Sequence, residues 1–214
     1  MEVQAESRSQ LHRLQTNEGW EDNRPHVVLI SGKAGVGKTT LAGLLSEVVR
    51  EKEDHKSVIM SQSIAWGVKQ VAMGMGWDRE KNVAGRRLLQ GIGKIGRAYD
   101  LDVWVEIAHK AICDTQYHYG SFEKSLRYVW VDDWRFKSEA RWFKELDYQF
   151  RVRLVRVLAP SREILKGTPE ALDISEVDLD DYTGFDIIIE NEGTLKELRK
   201  TAITIYNIIT NVEV

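Results

Sequence analysis

Residues 32–39 read Gly-Lys-Ala-Gly-Val-Gly-Lys-Thr and fill every fixed position of the pattern G-x-x-x-x-G-K-[ST]. What stands on either side gives the match its force. His26–Ser31 (HVVLIS) is an unbroken, β-branched run of the kind a strand needs when both its faces are buried. Residues 39–52 then carry Leu41, Leu44, Leu45, Val48 and Val49 at helical spacing. A buried strand, a glycine-rich turn and an amphipathic helix form the opening unit of a parallel sheet covered on both sides.

The residue types in the turn have a shared chemical purpose. Glycines let the backbone curl so that successive N–H groups point inward at phosphate oxygens, and the helix N-terminus adds partial positive charge. Lys38 brings a mobile cation to the β- and γ-phosphates, and Thr39 offers a hydroxyl to Mg²⁺. Lys38 is expected to be exposed in the free protein. The ATP-contacting set is Gly32, Lys33, Ala34, Gly35, Val36, Gly37, Lys38, Thr39 and Thr40. GTPases, motor ATPases and small-molecule kinases all use such a P-loop, or Walker A motif, so the reaction must be read elsewhere.

Downstream of the turn the alternation continues. Strands are expected over 57–60, 127–131, 150–158 and 185–190, with helices over 136–146 and 194–209. Residues 61–118 read as helical, interrupted by glycines near 74–76 and 91–96. The fold class is therefore α/β: a parallel five-stranded sheet with helices on both faces, a P-loop NTPase. Residues 1–24 form a polar tail without an apolar signal core, and 25–214 the folded domain.

Composition narrows the partners. Thirty Lys plus Arg against 33 Asp plus Glu leave a net charge of −3, which gives no general attraction to nucleic acid or an anionic membrane. No apolar run is long enough to span a bilayer. Cys113 is the only cysteine, so no disulfide forms within the chain, and a reducing, cytoplasmic setting fits.

Val129-Trp130-Val131-Asp132-Asp133 is an apolar strand ending in paired acids. In an open α/β sheet that strand end faces the ligand crevice. Either Asp132 or Asp133 can hold Mg²⁺ or orient the attacking oxygen, and Asp133 is placed with Thr39 at the metal. The plainer alternative is a pair of solvated acids at a helix start. Arg135 follows, set to meet charge on the transferred phosphoryl group.

Arg86, Gln90 and Arg97 share a face if one helix runs through them, and that face either grips a second phosphate or is simply solvated. Residues 91–96 also match G-x-G-x-x-G, but after a helical stretch and not a strand, so no dinucleotide site is read there. Flexibility between helices is the expectation instead. Trp66, Trp77 and Trp104 either stack on a base or fill the core.

Taken in order, several blocks resemble the deoxynucleoside monophosphate kinases of bacteriophages and bacteria. They are the loop with Ser31, Ala65-Trp66-Gly67-Val68-Lys69, Arg87-Leu88-Leu89-Gln90 with Arg97, Asp102-Val103-Trp104-Val105, Asp132-Asp133-Trp134-Arg135-Phe136-Lys137-Ser138-Glu139-Ala140, Ile174-Ser175-Glu176 and Asn191-Glu192-Gly193-Thr194-Leu195. The likeness runs from about Val27 to Leu198. It implies a nucleoside monophosphate kinase-like fold and transfer of the γ-phosphoryl group of ATP, with Mg²⁺, to a deoxynucleoside 5′-monophosphate. It also implies that Lys69, Arg87, Gln90, Arg97, Trp104 and Arg135 face the acceptor, that the setting is a bacterial or phage-infected cytosol, and that the chain pairs as a homodimer.

Residues 161–184 fall where such kinases carry a lid, with Arg162 and Lys166 its basic candidates. Glu170, Asp173, Glu176, Asp178, Asp180 and Asp181 make it read more as a solvated acidic loop. Two rival functions stay open: a P-loop kinase for another phosphorylated acceptor, and a regulatory or DNA-associated ATPase. Against the latter, no basic run, helix-turn-helix signal or second ATPase module is present.

Overall fold

Strand β1 (His26–Ser31) lies at the centre of the molecule, with Val27, Val28, Leu29 and Ile30 wholly buried. The computed structural model describes residues 23–53, 57–119 and 125–210, so most of the expected N-terminal tail lies outside it. Beside β1 stand β3 (Ser125–Trp134) and β4 (Arg151–Leu158), both parallel to it. Outside these run β2 (Ser57–Gln62), paired to β3, and β5 (Ile187–Glu190), paired to β4. The order β2-β3-β1-β4-β5 makes a five-stranded parallel sheet, as the alternating pattern predicts.

Side chains alternate across β1, and each set meets its own layer of helices. Val28 and Ile30 pack with Leu41, Leu45 and Val48 of α1 (Lys38–Lys52) and with Leu198, Ala202 and Ile205 of the closing helix (Leu195–Thr210). Val27 and Leu29 pack on the opposite face. There they meet Val68 of α2 (Trp66–Gly74), Val105, Ala108 and Ile112 of α4 (Val103–Tyr119), and Ala140 and Phe143 of α5 (Lys137–Glu145). Between α2 and α4 lies α3 (Val83–Tyr99), a short α6 (Ile174–Val177) precedes β5, and the closing helix is α7. Each fully buried leucine of α1 contributes roughly 1.5–3 kcal/mol of burial free energy. Trp130 on β3 is buried without leaving a stranded donor, because its Nε1–H donates to Ser46 Oγ of α1 at 2.8 Å.

The expected break at residues 91–96 does not occur, for α3 runs unbroken through Gly91, Gly93 and Gly96. Packing explains it. A Cβ on Gly96 would lie 2.2 Å from the Trp104 ring, and Trp104 Nε1–H donates to the Gly93 carbonyl at 3.0 Å. Gly93 and Gly96 seat the Trp104 indole of α4 against α3, which offsets a helix penalty of about 1 kcal/mol each.

The connection from β1 leads to β2 on one side of the sheet, whereas β3 leads across β1 to β4 on the other. Strand ends at such a reversal leave a crevice. The P-loop opens into it.

Candidate active site

Gly37 lies at φ 98°, and a Cβ there would stand 2.5 Å from Asn191 Nδ2. Only glycine fits. Asn191, at the end of β5, in turn donates to the Val36 carbonyl at 2.9 Å and pins the loop from behind. That gives the closing Asn-x-Gly-Thr-Leu block a physical role: its asparagine clamps the P-loop. Gly32 is constrained similarly, at φ 148° with the Val157 carbonyl 2.5 Å from where a Cβ would be. No side chain caps α1 at Gly37, so its first amides are open to an anion.

Lys38 is buried, not exposed as its sequence suggests. Its ammonium folds back on the loop and donates to the Gly32 and Lys33 carbonyls, both at 2.8 Å. Burial, followed by repulsion from Arg135, lowers its pKa to about 7. Arg135 approaches the same carbonyl, with Nη1 3.2 Å from Gly32 O and 3.0 Å from Glu176 Oε1. Two cations thus converge on one edge of the loop, as a phosphoryl-binding site requires.

The two aspartates meet different partners. Asp132 Oδ2 accepts a 2.5 Å hydrogen bond from the Thr39 hydroxyl. Asp133 instead accepts from the Ile64 and Ala65 N–H groups, at 2.8 and 3.2 Å, and from the Ser63 hydroxyl, with Lys69 Nζ 3.8 Å away. The structure therefore sets Thr39 beside Asp132, and not beside the Asp133 expected with it. Asp133 holds the turn between β2 and α2. Sequence alone offered no way to separate them, since the division follows from which neighbour each side chain meets at the strand end.

Glu139 is a residue that the sequence marked only as part of a block. It is enclosed at the start of α5, where Oε2 accepts the Arg135 and Phe136 N–H groups at 2.9 and 3.0 Å. Burial raises its pKa to about 8, against the lowering effect of those two bonds. The signal was there in retrospect: a Glu three residues into a helix whose first turn needs an acceptor.

Lys38, Thr39, Asp132, Asp133, Arg135 and Glu139 line one cleft of about 670 Å³, a volume suited to small ligands. Its far wall comes from α2, α3, α4 and the segment between α2 and α3, and includes Lys69, Lys81, Arg86, Gln90, Arg97 and Trp104. Because α3 is continuous, Arg86, Gln90 and Arg97 do share its inner face. Burial first, then repulsion from Lys69 and Arg86, lowers the Lys81 pKa. Arg97 lies 3.9 Å over the Phe136 ring. Arg87, expected at the acceptor, points away with a side chain 69% exposed and pairs with Glu170 at 3.3 Å. Arg86 takes the inward position. Trp66 stands about half exposed, and Trp77 Nε1–H donates to the Glu80 carbonyl.

Residues 161–184 are not the solvated acidic loop expected of their composition. Glu176 is buried, Asp178 accepts the Lys137 N–H at 2.8 Å, and Asp173 caps α6 through the Ser175 N–H. Asp180 joins Lys33 at 2.6 Å and Arg156 at 3.1 Å. Arg162 Nη2 donates to the Gly193 carbonyl, and the Ile164 N–H to the Ala34 carbonyl. The acids find partners because the segment lies on a loop and strand ends rich in cations. Among the described residues, no three His, Cys, Asp or Glu side chains gather as a metal cluster. No helix among them is long and apolar enough to cross a membrane.

The sheet order and the glycine-rich turn between β1 and α1 give this chain the P-loop NTPase fold. No protein-family model and no curated protein matches it. Solved structures similar in outline include the Deinococcus radiodurans tunicamycin resistance protein, 16% identical, covering 86% of this chain and 96% of that one, with a TM-score of 0.48. A gluconokinase from Sinorhizobium meliloti 1021 is 12% identical over 89% and 97% of the two chains, with a TM-score of 0.46. Mycobacterium tuberculosis APS kinase in complex with AMPPNP and APS is 13% identical over 86% and 98%, with a TM-score of 0.42. These likenesses are too distant to assign an activity.

Proposed function

We propose that this chain is an ATP-dependent phosphotransferase that passes the γ-phosphoryl group of ATP to a deoxynucleoside 5′-monophosphate. One observation carries the proposal: the P-loop and the cationic wall of Lys69, Lys81, Arg86 and Arg97 line the same cleft, with Arg135 on the loop's edge. An ATPase without an acceptor has no use for a second set of cations there.

In the proposed reaction the loop amides and Lys38 hold the β- and γ-phosphates, while the far wall holds the acceptor phosphate in line. Thr39 and Asp132 supply hard oxygen ligands and would hold Mg²⁺ together with the nucleotide's own phosphates. Held by Thr39 and Asp132, Mg²⁺ would supply positive charge to offset that of the nucleotide's phosphates. An acceptor phosphate oxygen forms a bond to the γ-phosphorus as the bond to the β–γ bridging oxygen breaks, leaving ADP. That oxygen is already anionic, so no strong base is needed. Arg135 lies where it can follow the charge on the moving group. Trp104 and Gln90 supply an aromatic edge and an amide to the nucleoside end.

The test is coupled detection of ADP with ATP, Mg²⁺ and each of the four deoxynucleoside monophosphates, beside a sugar phosphate. Release that rises above the ATP-only rate with at least one nucleotide is expected. Equal release with and without every nucleotide would overturn the proposal.

A further inference from the structure

Glu176 places a carboxylate against the rim of the phosphate cradle. Its Oε2 accepts the Ala34 N–H of the P-loop at 3.3 Å, and its Oε1 pairs with Arg135 Nη1 at 3.0 Å. The residue is 9% exposed, on the short helix α6. Its two partners are a cradle amide and a guanidinium, the donors that a terminal phosphoryl oxygen would seek. The segment is tied down beside it, since Lys33 Nζ donates to the Glu176 carbonyl and to Asp180 Oδ2, each at 2.6 Å.

We propose that Glu176 stands in for the terminal phosphoryl group while the loop is empty, so that it determines how strongly the loop prefers a triphosphate to a diphosphate. The inference rests on the loop's role as a nucleotide site. Two anions cannot share one amide and one guanidinium, so a triphosphate must displace the carboxylate. Its apparent affinity falls by the fraction of time that Glu176 stays in place. A diphosphate has no third phosphoryl group to set against Arg135 and leaves Glu176 where it is. The contact thereby weakens ATP binding selectively, and it keeps Arg135 occupied until a donor arrives.

Calorimetric titration of a non-hydrolysable ATP analogue and of ADP, both with Mg²⁺, into wild type, Glu176→Gln and Glu176→Ala decides the matter. Circular dichroism first confirms that each variant is folded. Glu176→Gln keeps the shape and loses the charge, and Glu176→Ala removes any acceptor for Ala34. Both should bind the triphosphate about tenfold more tightly, with ADP affinity changed less than about threefold. An unchanged ratio of the two affinities, or weaker triphosphate binding in the variants, overturns the inference while leaving the nucleotide site standing. Absence of nucleotide binding by wild type and variants alike overturns both.

Discussion

Thr39 Oγ1 donates to Asp132 Oδ2 across 2.5 Å, joining the first turn of α1 to the end of β3. The adjacent Asp133 is turned toward the main chain of Ile64 and Ala65. Neighbouring acids of one strand therefore meet different partners, and substitution should separate them. Asp132→Asn should lower kcat by roughly 10²–10³ with little change in melting temperature. Asp133→Ala should instead cost about 1–3 kcal/mol of stability, since two partly buried N–H groups lose their acceptor. Steady-state kinetics and thermal melts on the pair check both.

Lys38 has a pKa of about 7 in the free protein because burial and Arg135 disfavour its charge. A polyphosphate restores that charge and raises the pKa. Nucleotide binding at pH 8 should therefore take up a proton, and affinity should fall as pH rises above 7. Titrations at pH 8 in buffers of different ionisation enthalpy measure the uptake. Lys38→Ala should abolish it and cut phosphoryl transfer by orders of magnitude.

Glu139 ionises at about 8 in the folded chain against an ordinary 4.5. Between those values the native state holds a proton that the unfolded chain has released, so this residue's contribution makes stability fall as pH rises from 4.5 toward 8. Glu139→Gln keeps an oxygen for the Arg135 and Phe136 N–H groups and cannot ionise. Its melting temperature should fall less than that of wild type across this window.

Trp104 rests on Gly96, where a Cβ would come within 2.2 Å of the indole. Gly96→Ala should push the ring out of place, destabilise the protein by about 1–3 kcal/mol and weaken acceptor binding. Donor binding at the P-loop should hold. Thermal melts and separate titrations of donor and acceptor test this.

How far the sequence reached can be judged at particular residues. The P-loop and its flanking strand and helix were legible because each rests on a local requirement: glycine backbone freedom, β-branched burial, helical spacing. The inner face of Arg86, Gln90 and Arg97 was legible on condition that one helix ran through, and α3 meets that condition, with Trp104 packed on Gly93 and Gly96. Arg87 was assigned to the acceptor from a motif position, although a helix places consecutive residues about 100° apart. Here Arg86 lines the cleft and Arg87 pairs with Glu170 outside it.

By itself the sequence determined the parallel α/β sheet and the phosphate cradle, because period, turn chemistry and a short contiguous motif act within a few residues of each other. The tertiary structure alone decided which aspartate meets Thr39, that Lys38 is buried, and that the acids of 161–184 close on the loop as partners of Arg135, Lys33 and Arg156. Those outcomes depend on which side chains the sheet order brings together from positions up to 147 residues apart, and on how much water remains between them. Charge and pKa follow from that enclosure, which no local pattern records.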